Sequence, residues 1–115
     1  MKILLAGCML LFASAAVAAE GYVSGVGSKT CGELVDAVSK KDLSQQNVLD
    51  WTQGYFSGSN VAYGLRSRSG DVTTGSSILP SRLMTLVQAK CDAHPDYLLS
   101  RAVNEVYFEL RQAGQ

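Results

Sequence analysis

The sequence is poor in the side chains that catalysis and metal binding use most. It has one histidine and three cysteines, and no two of those cysteines form a CxxC pair. Zinc sites need four such ligands at close spacing, so a metal centre is not expected, and no cofactor is implied. No G-x-S-x-G elbow, phosphate loop, HExxH helix or calcium loop occurs, which removes the motifs that would announce an enzyme. Ten basic residues balance ten acidic ones. There is no basic face of the kind that nucleic-acid binding requires, and no polybasic amphipathic segment to anchor the chain on a membrane. Alternating strand patterns are missing too. Val23 to Val26 is short and broken by glycine.

What is present begins at residue 1. MKILLAGCMLLFASAAVAA (1–19) has a charged start at Lys2, a short apolar run from Ile3 to Phe12, and small residues around Ala18 and Ala19. That is the pattern of a secretory signal peptide cleaved near Ala18 or Ala19. The run is shorter than the ~20 residues that span a bilayer. Leu5-Ala6-Gly7-Cys8 spells a lipoprotein box, but only seven residues precede Cys8 and the apolar run continues past it. The expected mature chain, from residue 20, is exported and periplasmic. Without Lys2 it carries nine basic and ten acidic residues, a net charge of −1.

Export changes how the cysteines are read. With Cys8 in the leader, Cys31 and Cys91 remain, and two cysteines in an oxidising compartment are expected to pair. Such a bridge would stabilise a chain this small by ~4 kcal/mol in the chain-entropy account. Two free thiols, or a metal site, are the alternatives.

Residues 20–29 hold three glycines and no helical period, which predicts a flexible segment. One helical domain is expected over 30–113. Thr30-Cys31-Gly32-Glu33 matches a capping box, and the helix it starts carries Cys31, Leu34, Val35 and Val38 on one stripe. Asp42 or Ser44 caps a second helix running to about Tyr63. Its apolar residues cover more than one face, which predicts a central helix contacted from several sides. Gly54, Gly58 and Ala62 recur every four residues. They are read as the seat of another helix, with a groove for a partner as the alternative. Residues 64–77 are rich in glycine and serine and read as a loop, locally basic through Arg66 and Arg68. A third helix runs from Pro80 or Ser81 to Asp92, with Pro80 at the first position. His94-Pro95 opens a fourth helix with Leu99, Ala102, Val103, Val106 and Leu110 as its inner stripe. The fold class is all-α, a small bundle of about four helices stapled by one disulfide.

Chemistry-bearing candidates are few. His94, Asp96 and Ser100 are close in the chain without a nucleophile frame, and Asp92/Asp96 and Glu105/Glu109 have the spacing of solvated helix faces. The chain therefore reads as non-enzymatic. The aromatic set Trp51, Tyr55, Phe56 and Tyr63 is the leading candidate for apolar contact with a protein partner, with core packing as the alternative. Arg66 and Arg68 are the polar candidates.

Thr30-Cys31-Gly32-Glu33-Leu34, Trp51 with Gly54-Tyr55-Phe56-Ser57-Gly58, and Cys91 with Pro95 four residues later resemble the HdeA/HdeB family over residues 30–111. That resemblance implies a small periplasmic helical protein with one disulfide, acting as an acid-activated chaperone toward protein clients, and it is compatible with a homodimer. The Gly-Tyr-Phe-Ser-Gly segment and the 64–77 loop lie outside the family pattern. The second helix and the His94-Pro95 junction also resemble periplasmic immunity proteins that bind and block cell-wall amidases delivered by type VI secretion, which is the alternative function. At pH near 2 the mature chain would carry roughly +10 from its Lys, Arg and His side chains, and self-repulsion would loosen it.

Overall fold

The computed structural model describes residues 22–68 and 70–115. The expected signal peptide and the Cys8 box lie outside the described residues. Four helices follow one another: α1 (Cys31–Ser39), α2 (Gln45–Ser67), α3 (Pro80–Ala93) and α4 (Leu99–Gln112), after a 3-10 turn at Gly25–Ser28. The all-α bundle is as expected, with no strand among the described residues. Cys31 and Cys91 are joined, Sγ to Sγ, at 2.06 Å. The bridge ties the first turn of α1 to the last turn of α3.

Both early helices start on reciprocal caps. The Glu33 amide donates to Thr30 Oγ1 (3.1 Å) and the Thr30 amide donates to Glu33 Oε2 (2.7 Å). At α2 it is Ser44 that caps: the Asn47 amide donates to Ser44 Oγ (3.2 Å) and the Ser44 amide to Asn47 Oδ1 (3.1 Å). Each box satisfies amides that a helix start leaves without partners.

The N-termini of α1 and α4 are locked to one another through the backbone. Cys31 N donates to Tyr97 O (2.8 Å), Gly32 N to Pro95 O (2.9 Å), and Leu99 N to Lys29 O (2.9 Å), around an antiparallel bridge between Thr30 and Leu98. This corrects the start of the fourth helix. Pro95 to Leu98 do not open it; the carbonyls of Pro95 and Tyr97 serve α1, and the helix begins at Leu99.

The core is centred on α4. Leu99, Ala102, Val103 and Tyr107 have no solvent exposure, and Val106 and Leu110 are buried beside them. The five-residue stripe read from the sequence is thus fully inside. α2 is not the central helix expected. Only Val48, Thr52 and Phe56, one turn apart from each other, are buried along its length, while Val61 and Leu65 stand in solvent. It also runs four residues past Tyr63, so the loop begins at Arg68, in the left-handed region (φ 49°). The stripe on α1 is narrower than its spacing suggested: Cys31 and Leu34 are buried but Val35 is 58 % exposed.

The segment before α1 is a further correction. Val26 and Gly27 pack inward, and the ring of Trp51 lies so close over Gly27 that an added Cβ would fall 2.0 Å from it. Only glycine fits there, and the contact orders a stretch whose own sequence has no periodicity. At Gly75 (φ +83°) a Cβ would meet the Phe56 ring at 2.6 Å, which seats the 70–79 loop on α2.

Candidate functional site

Of the aromatic residues singled out on α2, Tyr55, Phe56 and Tyr63 face α4 and Trp51 covers the 3-10 turn. Trp51 is half-buried, its indole N–H donating to Ser24 O (3.1 Å), and Tyr55 stacks on it at 5.5 Å. The Tyr55 hydroxyl donates to Asn104 Oδ1 (2.8 Å), and burial pushes its pKa above the usual tyrosine value. Phe56 is 5 % exposed and meets Tyr107 edge-on at 5.1 Å. It belongs to the core, which corrects its place among candidate contact residues. Tyr63 stacks on Tyr107 at 5.9 Å, with the Arg111 guanidinium carbon 4.1 Å over its ring. α4 supplies Tyr107, on which Phe56 and Tyr63 converge.

Tyr107 also anchors the long loop. Its hydroxyl donates to Asn60 Oδ1 (2.9 Å), and Asn60 Nδ2 donates to the carbonyl of buried Thr74 (3.1 Å). Neither Tyr107 nor Asn60 stands out in the sequence. Tyr107 flanks the aliphatic stripe, and its value as an anchor arises from residues 47 and 33 positions away.

Arg66 and Arg68 are both exposed, but they point to different places. Arg66 borders a small depression with Tyr55, Ser59, Tyr63 and Asn104, whereas Arg68 borders another with Val61, Leu65 and Asp71. Arg66 is on the last turn of α2 and Arg68 lies past its end in the left-handed region, so they do not act as one basic site.

His94 lies flat on the Tyr97 ring at 4.2 Å, and the Arg101 guanidinium sits 3.9 Å from the same ring centre. No hydrogen bond joins His94, Asp96 and Ser100 among the described residues. Glu105 and Glu109 turn toward Lys90 of α3, Glu109 in direct contact and Glu105 at 3.6 Å. The Glu109 hydrogen bond, with the charges of both carboxylates behind it, holds the Lys90 pKa above the usual lysine value. Among the described residues no cluster of three or more His, Cys, Asp or Glu side chains is placed to hold a metal ion, and no helix is long and apolar enough to cross a membrane.

One apolar concavity was not singled out by the sequence. An open groove of about 200 Å³ runs between α1 and α3. Leu34, Val35 and Val38 form one wall, Met84 and Val87 the other, and Val48 of α2 lies at one end, with Gln45 and Gln88 at the rim. The Cys31–Cys91 bridge is part of its lining, so a covalent link joins its two walls. Its signal was the α1 stripe itself: four apolar residues on a nine-residue helix, more than its neighbours cover.

Comparison of the chain with protein-family models, with curated proteins and with solved structures found no match.

Proposed function

We propose that this chain is an exported, non-enzymatic protein-binding domain that acts in the periplasm as an acid-stress chaperone of the HdeA/HdeB-like type. The observation that supports the reading best is the α1–α3 groove. It is apolar, open, and walled by two helices that a disulfide keeps together. Val35, on its edge, is 58 % exposed, and exposed apolar surface of this kind is where extended hydrophobic segments dock. Acid would discharge Glu33 in the α1 cap and weaken the Lys90 ion pairs between α3 and α4, and the bridge would keep α1 and α3 tethered as the rest loosens. The groove would then widen into a surface for unfolded clients.

The test is light scattering from an acid-unfolded client held at pH 2–3 and then neutralised, with and without the oxidised protein. Suppressed aggregation is expected. It should fall several-fold in Val35→Lys, a change at an exposed position that stays charged at pH 2, and in a Cys31→Ser/Cys91→Ser variant. No suppression at excess protein would overturn the reading. It would favour instead a folded partner bound at neutral pH, as in the immunity proteins that neutralise amidase toxins.

A further inference from the structure

A second concavity, of about 510 Å³, lies between α2, the 70–79 loop and the start of α3. Its volume falls within the ~300–1,000 Å³ of small-ligand sites. The lining divides by chemistry. Phe56, Ile78 and Leu83 supply apolar surface, while Gln53, Ser57, Thr74 and Ser76 supply an amide and hydroxyls. No charged side chain lines it.

Thr74 is the informative member. It is only 7 % exposed, and a buried hydroxyl ordinarily has a hydrogen-bond partner. Its carbonyl accepts from Asn60, but its hydroxyl bonds to nothing among the described residues. That oxygen is not sealed off either; it opens on the concavity. The Gln53 side-chain amide and the Ser76 hydroxyl also lack a partner among the described residues. Three unpaired polar groups, from a helix and a loop, thus border one hollow.

These groups are held in place before any ligand arrives. The chain of bonds from Tyr107 through Asn60 to Thr74 ties the loop to the core. The Gly75 amide donates to Gln115 O (3.3 Å), the Ser76 amide to Thr73 O (2.9 Å) and the Ile78 amide to Gly75 O (3.0 Å). Such preorganisation lowers the cost of binding. It also commits the amides of the loop, so an extended peptide would find no free backbone edge to pair with.

We infer that this hollow binds a neutral saccharide of mono- or disaccharide size. A sugar ring presents a hydroxyl edge and an apolar C–H face, which is the division seen in the lining. An ionised ligand would lose its water with no counter-charge in return. A purely apolar one would leave Gln53, Thr74 and Ser76 unpaired. No residue of this hollow lines the α1–α3 groove, so the inference stands or falls apart from the chaperone reading.

An amide NMR titration of the purified oxidised protein with glucose, N-acetylglucosamine and maltose, each up to about 100 mM, tests it. At least one sugar is expected to shift the amides of Thr74, Gly75 and Ser76 and the Gln53 side-chain amide saturably, with a millimolar dissociation constant. Gluconate, similar in size but charged, should bind at least tenfold more weakly than that sugar. Thr74→Val keeps the shape and removes the hydroxyl. It should weaken binding at least tenfold and leave the melting temperature unchanged or higher, because nothing in the chain bonds to that hydroxyl. Ser76→Ala, at an exposed position, should weaken binding several-fold. The assignment would be overturned by no saturable shift with any of the three sugars, by shifts centred elsewhere, or by gluconate binding as tightly. Unweakened binding in both variants, or a lower melting temperature in Thr74→Val, would also overturn it.

Discussion

Replacing Cys31 and Cys91 together by alanine should take away a large share of this domain's stability. The two cysteines are 60 residues apart in the chain, and a cross-link over such a loop restricts the unfolded ensemble by about 4 kcal/mol. Both side chains are buried, at 1 % and 8 % exposure, so the lost sulfur contacts add to that figure. A domain of this size has about 5–13 kcal/mol in total. The melting temperature should fall by about 15–30 °C. Urea unfolding followed by circular dichroism and by the emission of Trp51, the only tryptophan, gives the measurement. The dependence on urea should also steepen, because the uncrosslinked chain exposes more surface when it unfolds. A loss under about 1 kcal/mol with an unchanged slope would refute the argument: the network around Tyr107 and the α1–α4 lock would then hold the domain without the bridge.

Three other perturbations have defined outcomes. The backbone and side-chain hydrogen bonds of Thr30 hold the Glu33 carboxyl below its usual pKa; its stabilisation is therefore complete above the unfolded carboxylate value and lost as pH falls through the folded one. In melts between pH 7 and pH 2, Glu33→Gln should be less stable at neutral pH, with the gap closing in acid; a gap that persists at pH 2 would disprove the assignment. Gly27→Ala puts a methyl carbon within the Trp51 ring, so about 1–3 kcal/mol of overpacking strain and red-shifted emission are expected, whereas unchanged emission would mean that the 3-10 turn does not seat the indole. Tyr107→Phe removes the bond to Asn60 and should cost about 1–2 kcal/mol. Asn60→Ala should cost more, since it leaves both the Tyr107 hydroxyl and the Thr74 carbonyl without their partner, and urea titrations ranking the two in the opposite order would contradict this network.

Local rules made much of the bundle legible. Thr30 with Glu33 announces a cap, the five aliphatic residues of α4 announce its inner face, and Pro80 marks the first position of α3. What escaped depends on contacts far apart in sequence. The turn at Gly25–Ser28 exists because Trp51 covers Gly27, and the segment from Pro95 stays out of α4 because the carbonyls of Pro95 and Tyr97 receive amides from α1. α2 looked central because its apolar residues are scattered around its circumference. Periodicity does not tell an apolar residue that is buried from one, such as Val61 or Leu65, that faces outward. Phe56 of the aromatic set turns inward and Trp51, Tyr55 and Tyr63 are partly buried, and the groove between α1 and α3 was hidden in a stripe of apolar spacing.

The placement of the core on α4 has a consequence for how this chain comes into being. Anything that delivers a polypeptide N-terminus first, a ribosome or an export channel, releases α1, α2 and α3 well before the helix they pack against. Until Pro95 and the residues after it emerge, Gly32 and Cys31 lack the carbonyls that receive their amides, and Phe56 and Tyr63 lack Tyr107 for longer still. The last helix therefore acts as a timer. The earlier helices cannot complete their packing among themselves, and the fold closes only once α4 is present.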